Sequence, residues 1–168
     1  YCTNSSKPRD PNPMDDMFHG THVAGIIGAV GNNGIGVTGV CWNTKIMALK
    51  FLNYAGYGKT SDAIKCIEYA IDNGAKILNN SWGGPGGPGL KDAINSADAN
   101  GVLFIAAAGN GDEYVNPVDN DGSSPSPAYP ASYDCNNIIS VMATNNTDQP
   151  TYYSNYGYTK VDLAAPGG

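Results

Sequence analysis

Apolar positions in this chain fall into short, compact runs separated by glycine, proline and asparagine. Lys76 to Asn80, Val102 to Ala107, Ile138 to Ala143 and Val161 to Ala164 are such runs, which predicts strands buried on both faces of a parallel sheet, and Lys45 to Lys50 reads as a further short strand. Between them, Ile64, Ile67, Ala70 and Ile71 recur at helical spacing; they predict a helix from a Ser61 cap to about Asn73, stopped by Gly74. Lys91 to Ala99 predicts another helix. A further helix opens near His19, and its residues Val23, Ala24, Gly25, Ile26, Ile27, Ala29 and Val30 are small or apolar on every side, which predicts burial among other elements. The eighteen residues before His19 read as a Pro/Asp-rich loop. Gly31-Asn32-Asn33-Gly34-Ile35-Gly36 reads as a tight loop, and Gly56-Tyr57-Gly58 as a connector. Helix and strand alternate, so the fold class is α/β with a mostly parallel sheet. In such sheets ligands gather beyond the carboxyl ends of strands, where Asn80-Ser81 and Gly109-Asn110 fall.

Composition narrows the partners. The 168 residues, 41% hydrophobic and 14% charged, suit one globular domain or part of one. A net charge of -6 with nine Lys and Arg argues against a nucleic-acid or anionic-membrane surface. No apolar run is long enough to span a bilayer, and no signal peptide is visible. Cys2, Cys41, Cys66 and Cys135 lack the close pairing of a zinc site, and their mutual pairing stays open. Sequons at Asn4, Asn79 and Asn145 are compatible with a secreted or secretory-pathway protein, although Asn79 is expected to end a buried strand.

The chemistry concentrates in His19-Gly20-Thr21-His22-Val23-Ala24-Gly25, which resembles the histidine motif of the subtilisin-like serine proteases, the subtilases. Three more motifs follow in family order. Asn79-Asn80-Ser81-Trp82-Gly83-Gly84 resembles the substrate-binding strand end, Ala106-Ala107-Ala108-Gly109-Asn110 the oxyanion-hole segment, and Ala165-Pro166-Gly167 the turn before the nucleophile helix. The resemblance covers nearly the whole chain. It implies a three-layer subtilisin-like fold, incomplete at both ends, because neither an Asp-Thr/Ser-Gly motif nor Gly-Thr-Ser-Met-Ala occurs in residues 1–168. The chain is accordingly expected to be an internal fragment of a catalytic domain, lacking the Asp strand and the Ser helix, inactive alone and prone to aggregate through unpaired strand edges.

Acyl transfer needs a base that takes the serine proton and returns it to the leaving amine, a role that suits a neutral imidazole. The resemblance gives this role to His19 and leaves His22 as a structural residue satisfied by local hydrogen bonds. A pair of packed core histidines is the plainer reading. A His-x-x-His metal pair lacks the third histidine that a catalytic zinc site would use. Asn110, otherwise an ordinary turn residue after glycine, is implied as the oxyanion donor. By the same resemblance Ala107, Ala108 and Gly109 line the pocket for the residue before the scissile bond. Gly56, Tyr57, Gly58 and Ser81, Trp82, Gly83 form two edges that grip substrate as an added β-strand, with Leu52 bordering the next pocket. Taken alone, Gly56 to Gly58 is as readily a plain glycine-rich loop. Trp82 is large for its position and is expected to narrow a neighbouring pocket.

The loop after the first helix resembles the family's calcium loop, with Gly31, Asn33, Ile35 and Val37 as oxygen ligands. Asp162, Ala131 and Tyr133 form a weaker candidate cation site, against which a solvated Asp162 is the simpler reading. Tyr129-Pro130 matches a cis peptide position of the family. The resemblance thus implies a monomeric calcium-binding endopeptidase acting on polypeptides and restrained by an inhibitory propeptide. The alternative is a non-catalytic peptide-binding pseudoprotease; a lipase-type hydrolase is disfavoured by the absence of Gly-x-Ser-x-Gly.

Overall fold

The computed structural model describes residues 2–4, 7–122 and 127–168. The chain divides into two compact units, Tyr1–Ala70 and Ile71–Gly168.

The first unit opens with an antiparallel pair, β1 (Cys2–Asn4) and β2 (Lys7–Asp10), where the sequence reading expected only loop. Proline and aspartate discourage strands in general, but here Thr3 pairs with Pro8, so the missing N–H of proline sits in a ribbon that has two strands among the described residues. Helix α1 (His19–Gly28) follows, and contrary to expectation it contains no buried residue. The small and apolar residues from Val23 onward forecast burial, yet Ile26 remains 56% exposed. Its carbonyl end is satisfied by the returning chain: Gly39, Val40 and Cys41 donate backbone N–H groups to Ala29, Ile26 and Ile27 at 2.9, 3.0 and 2.9 Å. That approach requires glycine at position 39, because a Cβ there would lie 2.6 Å from the Gly28 nitrogen. Residues 45–50 do not form a strand beyond one bridge at Lys50. An apolar run becomes a strand only when a partner takes its N–H and C=O groups, and 45–49 lack that ladder. Helix α2 (Thr60–Asp72) runs across the unit boundary and buries Ala63, Cys66, Ile67 and Ala70, an i, i+3, i+4, i+7 stripe. It begins one residue before Ser61, which therefore lies inside the first turn, and Gly74 follows it at φ +76° as the expected stop.

The second unit holds a four-stranded parallel sheet in the order β3 (Ile77–Asn80), β4 (Leu103–Ala107), β5 (Ile138–Thr144), β6 (Leu163–Pro166). Helix α3 (Pro88–Ala99) connects β3 to β4 with proline in its first turn, where the missing N–H costs no helical bond. It buries Leu90, Ala93, Ile94 and Ala97 and packs against β4. Register places Leu78, Phe104 and Ile138 side by side, then Asn80, Ala106 and Ser140. Most of that face is buried, and Phe104 is 0% exposed. The opposite face is open, with Ile77 61% and Leu163 55% exposed, so β3 alternates instead of being buried on both sides. Asn79 consequently points outward, not into a core. Among the described residues no helix is long and apolar enough to cross a membrane.

Candidate active site

His19 is the first residue of α1, exposed to solvent. The residue before it, Phe18, adopts a left-handed conformation (φ 67°) and offers the helix no side-chain cap. Asp15 supplies one instead. Its Oδ2 accepts the Thr21 backbone N–H at 2.7 Å and its Oδ1 accepts the Met17 N–H at 2.9 Å. The Met17 and Thr21 N–H donors hold the Asp15 carboxyl down to about 2. One carboxylate thus fixes the turn that delivers His19 and satisfies an orphan donor at the positive end of the helix. The sequence reading missed Asp15, since a cap is sought immediately before the helix and this one acts from four residues ahead of His19. His22 is exposed to solvent, not packed in a core.

In the same unit, Gly56, Tyr57 and Gly58 form a turn closed by Asn53. The Asn53 Oδ1 accepts N–H groups from Ala55 and Tyr57, at 2.9 and 3.1 Å, and the Tyr57 carbonyl accepts the Asn53 N–H. The Tyr57 ring is exposed and Leu52 is half-buried. In the loop of Gly31, Asn33, Ile35 and Val37, the Asn33 Oδ1 accepts the Ile35 N–H at 3.0 Å. The donors this loop can offer are carbonyl and amide oxygens, a set that fits a hard cation but brings no negative charge. Among the described residues no cluster of three His, Cys, Asp or Glu side chains is placed to hold a metal.

In the second unit, the register Asn80 to Ala106 makes β3 and β4 end within one residue of each other, so 81–83 and 108–110 leave neighbouring strands at the carboxyl edge of the sheet. The buried Asn80 amide donates to the Leu78 carbonyl at 3.1 Å and accepts the Trp82 indole N–H at 3.2 Å, orienting the ring. Asn79 donates to the Ser81 hydroxyl at 3.1 Å. Ala107 is open to solvent and Ala108 is buried, so the two line different sides of the segment. Gly109 turns the chain with φ +115°, and Asn110 emerges exposed.

Beneath this turn lies a buried amide pair that sequence inspection did not find. The Asn120 side chain donates to the Ala108 carbonyl at 2.8 Å, and Asn155 donates to the Asn120 Oδ1 at 3.2 Å. No local pattern signals a contact between residues 35 positions apart. Next to the pair, Asp121 accepts N–H groups from Tyr158 and Thr159 and the Thr159 hydroxyl, and these bonds, led by the hydroxyl, lower its carboxyl from the usual range.

The Tyr129–Pro130 peptide is cis, as the resemblance to the subtilases implied. Asp162, Ala131 and Tyr133 do meet, at a polar depression of about 250 Å³ whose rim also carries Lys160, paired with Asp134. Asp162 is exposed and its carboxylate accepts the Ser140 N–H at 2.8 Å. Cys41 is an exposed free thiol, and burial pushes the Cys135 thiol above its ordinary pKa.

Several proteases align along almost this whole chain. Thermitase of Thermoactinomyces vulgaris is 38% identical over 159 residues, 94% of this chain and 52% of thermitase. Subtilisin of Bacillus pumilus is 40% identical, covering 95% of this chain and 55% of that protein. A thermophilic serine proteinase of a Bacillus strain, AK1, is 42% identical over 94% of this chain and 36% of its own length. The chain therefore spans about half or less of the length of these relatives. The profile of the subtilase family matches residues 2–168, and on that match, with its four motifs at the ends of the expected elements, the chain belongs to the subtilase family.

Proposed function

We propose that the protein to which these residues belong is a secreted serine endopeptidase that cleaves polypeptides through an Asp-His-Ser triad. His19 is the general base and Asn110 the oxyanion donor; the aspartate and serine come from sequence outside residues 1–168. In the forward step the His19 imidazole takes the serine hydroxyl proton as oxygen attacks the scissile carbonyl. It then returns that proton to the leaving amine, and the same relay admits water to release the acyl group. The Asn110 amide donates to the oxyanion that forms on the former carbonyl. Ala107, Gly109 and Ser81 to Gly83 offer a wall and an edge along which an extended peptide lies, and Leu52 and Gly56 to Gly58 are further substrate-binding residues. A calcium ion at the Gly31, Asn33, Ile35 and Val37 oxygens would stabilise the loop. An inhibitory propeptide and a monomeric state complete the reading, and the 168 residues alone are inactive.

The observation that supports this reading most is the exposed Asn110 following Gly109 at the carboxyl edge of the sheet, next to the Ser81 to Gly83 strand exit, in a chain of the subtilase family. The test is steady-state hydrolysis of a peptide amide by the full-length protein. Asn110→Ala should lower kcat by about 10²- to 10³-fold with little change in KM. Unchanged kcat, or a parent protein that binds peptide without cleaving it, defeats the proposal and favours a peptide-binding pseudoprotease.

A further inference from the structure

We infer that Asn155 is a positioning residue for the oxyanion donor, clamping the backbone on both sides of Asn110. The Asn155 backbone N–H donates to the Gly109 carbonyl at 3.0 Å, and its side-chain Oδ1 accepts the Gly111 N–H at 2.8 Å. Asn110 is the single residue between those two anchor points. Both anchors are glycines with positive φ, +115° at 109 and +89° at 111, so the turn has wide conformational freedom until something outside it selects one geometry. Asn155 is that constraint. It is 2% exposed, and its Oδ1 also accepts the Val118 N–H at 3.1 Å, which ties the far end of the 111–118 loop to the same atom.

The clamp is itself held. The Asn155 amide donates to the Asn120 Oδ1, and Asn120, 1% exposed, also accepts the Ala128 N–H at 3.1 Å. The Ser154 hydroxyl donates to the Asn155 carbonyl at 3.2 Å while accepting the Ala143 N–H at 2.9 Å, which roots the clamp in β5. Space is equally restrictive: a Cβ at Gly109 would overlap the Asn155 amide nitrogen and lie 2.9 Å from the Ala128 methyl. Such packed, hydrogen-bonded amides fix a single rotamer. An oxyanion donor acts only when its N–H is aimed before charge develops, and a displacement of about 1 Å can cost roughly 10²-fold.

This inference rests on the proposed role of Asn110, and its test separates the two. Peptide hydrolysis is measured for the full-length protein and its Asn110→Ala, Asn155→Ala, Asn155→Asp and double Asn110→Ala/Asn155→Ala variants. Asn155→Ala should lower kcat about tenfold or more, with KM within about twofold. Asn155→Asp keeps the acceptor for Gly111 and Val118 but loses the donor to the Asn120 Oδ1, so it should recover only part of the kcat lost in Asn155→Ala. The double variant should be no slower than Asn110→Ala alone, because both changes remove the same stabilisation. Asn137→Ala serves as the stability control. It removes buried bonds to the Ile94 and Val102 carbonyls away from the turn, and should lower the thermal midpoint while leaving kcat unchanged. If Asn155→Ala does not fold, Asn155→Ser, too short to reach Gly111, takes its place with the same expectation. An additive double variant, or Asn155→Ala with parental kcat beside an impaired Asn110→Ala, overturns the inference. Parental kcat in Asn110→Ala overturns the underlying reading instead.

Discussion

Replacing Asp15 with alanine tests whether the geometry of the candidate base is set from outside its own helix. The substitution deletes the acceptor of the Thr21 N–H at 2.7 Å and of the Met17 N–H at 2.9 Å, and Phe18 offers no side chain in compensation. Loss of a capping side chain costs about 1 kcal/mol, and loss of a negative charge at a helix N-terminus about 0.3–1 kcal/mol more. Together they weaken the opening turn of α1 by about 1.5 kcal/mol. That corresponds to roughly tenfold faster amide exchange in α1, read by hydrogen exchange and mass spectrometry on the full-length protein. The pH dependence supplies a second reading. The folded carboxyl sits at about 2 against an ordinary 3.8, so its contribution is complete above the unfolded value and is lost as pH falls through 2. The gap in thermal midpoint between parent and Asp15→Ala should therefore be equal at pH 7 and pH 5, and shrink below about pH 4. Unchanged exchange in α1, or a gap that persists undiminished at low pH, would refute the capping argument.

Three further outcomes follow from the packing and the loops. Phe104→Ala removes a 0% exposed ring from the buried face of the sheet and should destabilise the second unit by about 3–5 kcal/mol, measured by urea unfolding; a loss under about 1 kcal/mol would mean the site collapses freely. Chelation with EDTA should lower the thermal midpoint of the full-length protein and calcium should restore it; an unchanged midpoint removes the 31–37 loop as a calcium site. Trp82→Leu should broaden the side-chain preference seen in a peptide library, since the indole is oriented by Asn80 at the strand exit; an identical profile would show that the ring lines no pocket.

The elements that could be read from sequence are those whose signals are local. The Ile64, Ile67, Ala70 stripe and Gly74 stop produced α2, and the apolar runs at 102–107 and 138–143 produced β4 and β5. The Gly109-Asn110 turn also sat where expected, because glycine before asparagine at a strand end marks the carboxyl edge. What escaped depends on partners distant in the chain. Residues 45–50 carry a strand's composition without a strand's ladder, and α1 carries a buried helix's composition without a buried residue. The β1 and β2 pairing defeats a composition rich in proline and polar residues. Asp15, Asn120 and Asn155 act through hydrogen bonds that no periodicity encodes, and Asn120 and Asn155 lie in stretches that read as loop. The family was legible earlier than the architecture, because four short motifs carry the resemblance.

The central claim is that His19 activates a serine for acyl transfer, and the rate of active-site labelling by a fluorophosphonate measures that most directly. The full-length protein should label at a single serine, and His19→Ala should slow labelling by at least about 10³-fold while preserving the fold. Labelling of His19→Ala at the parental rate, or a folded parent that does not label, would contradict the account.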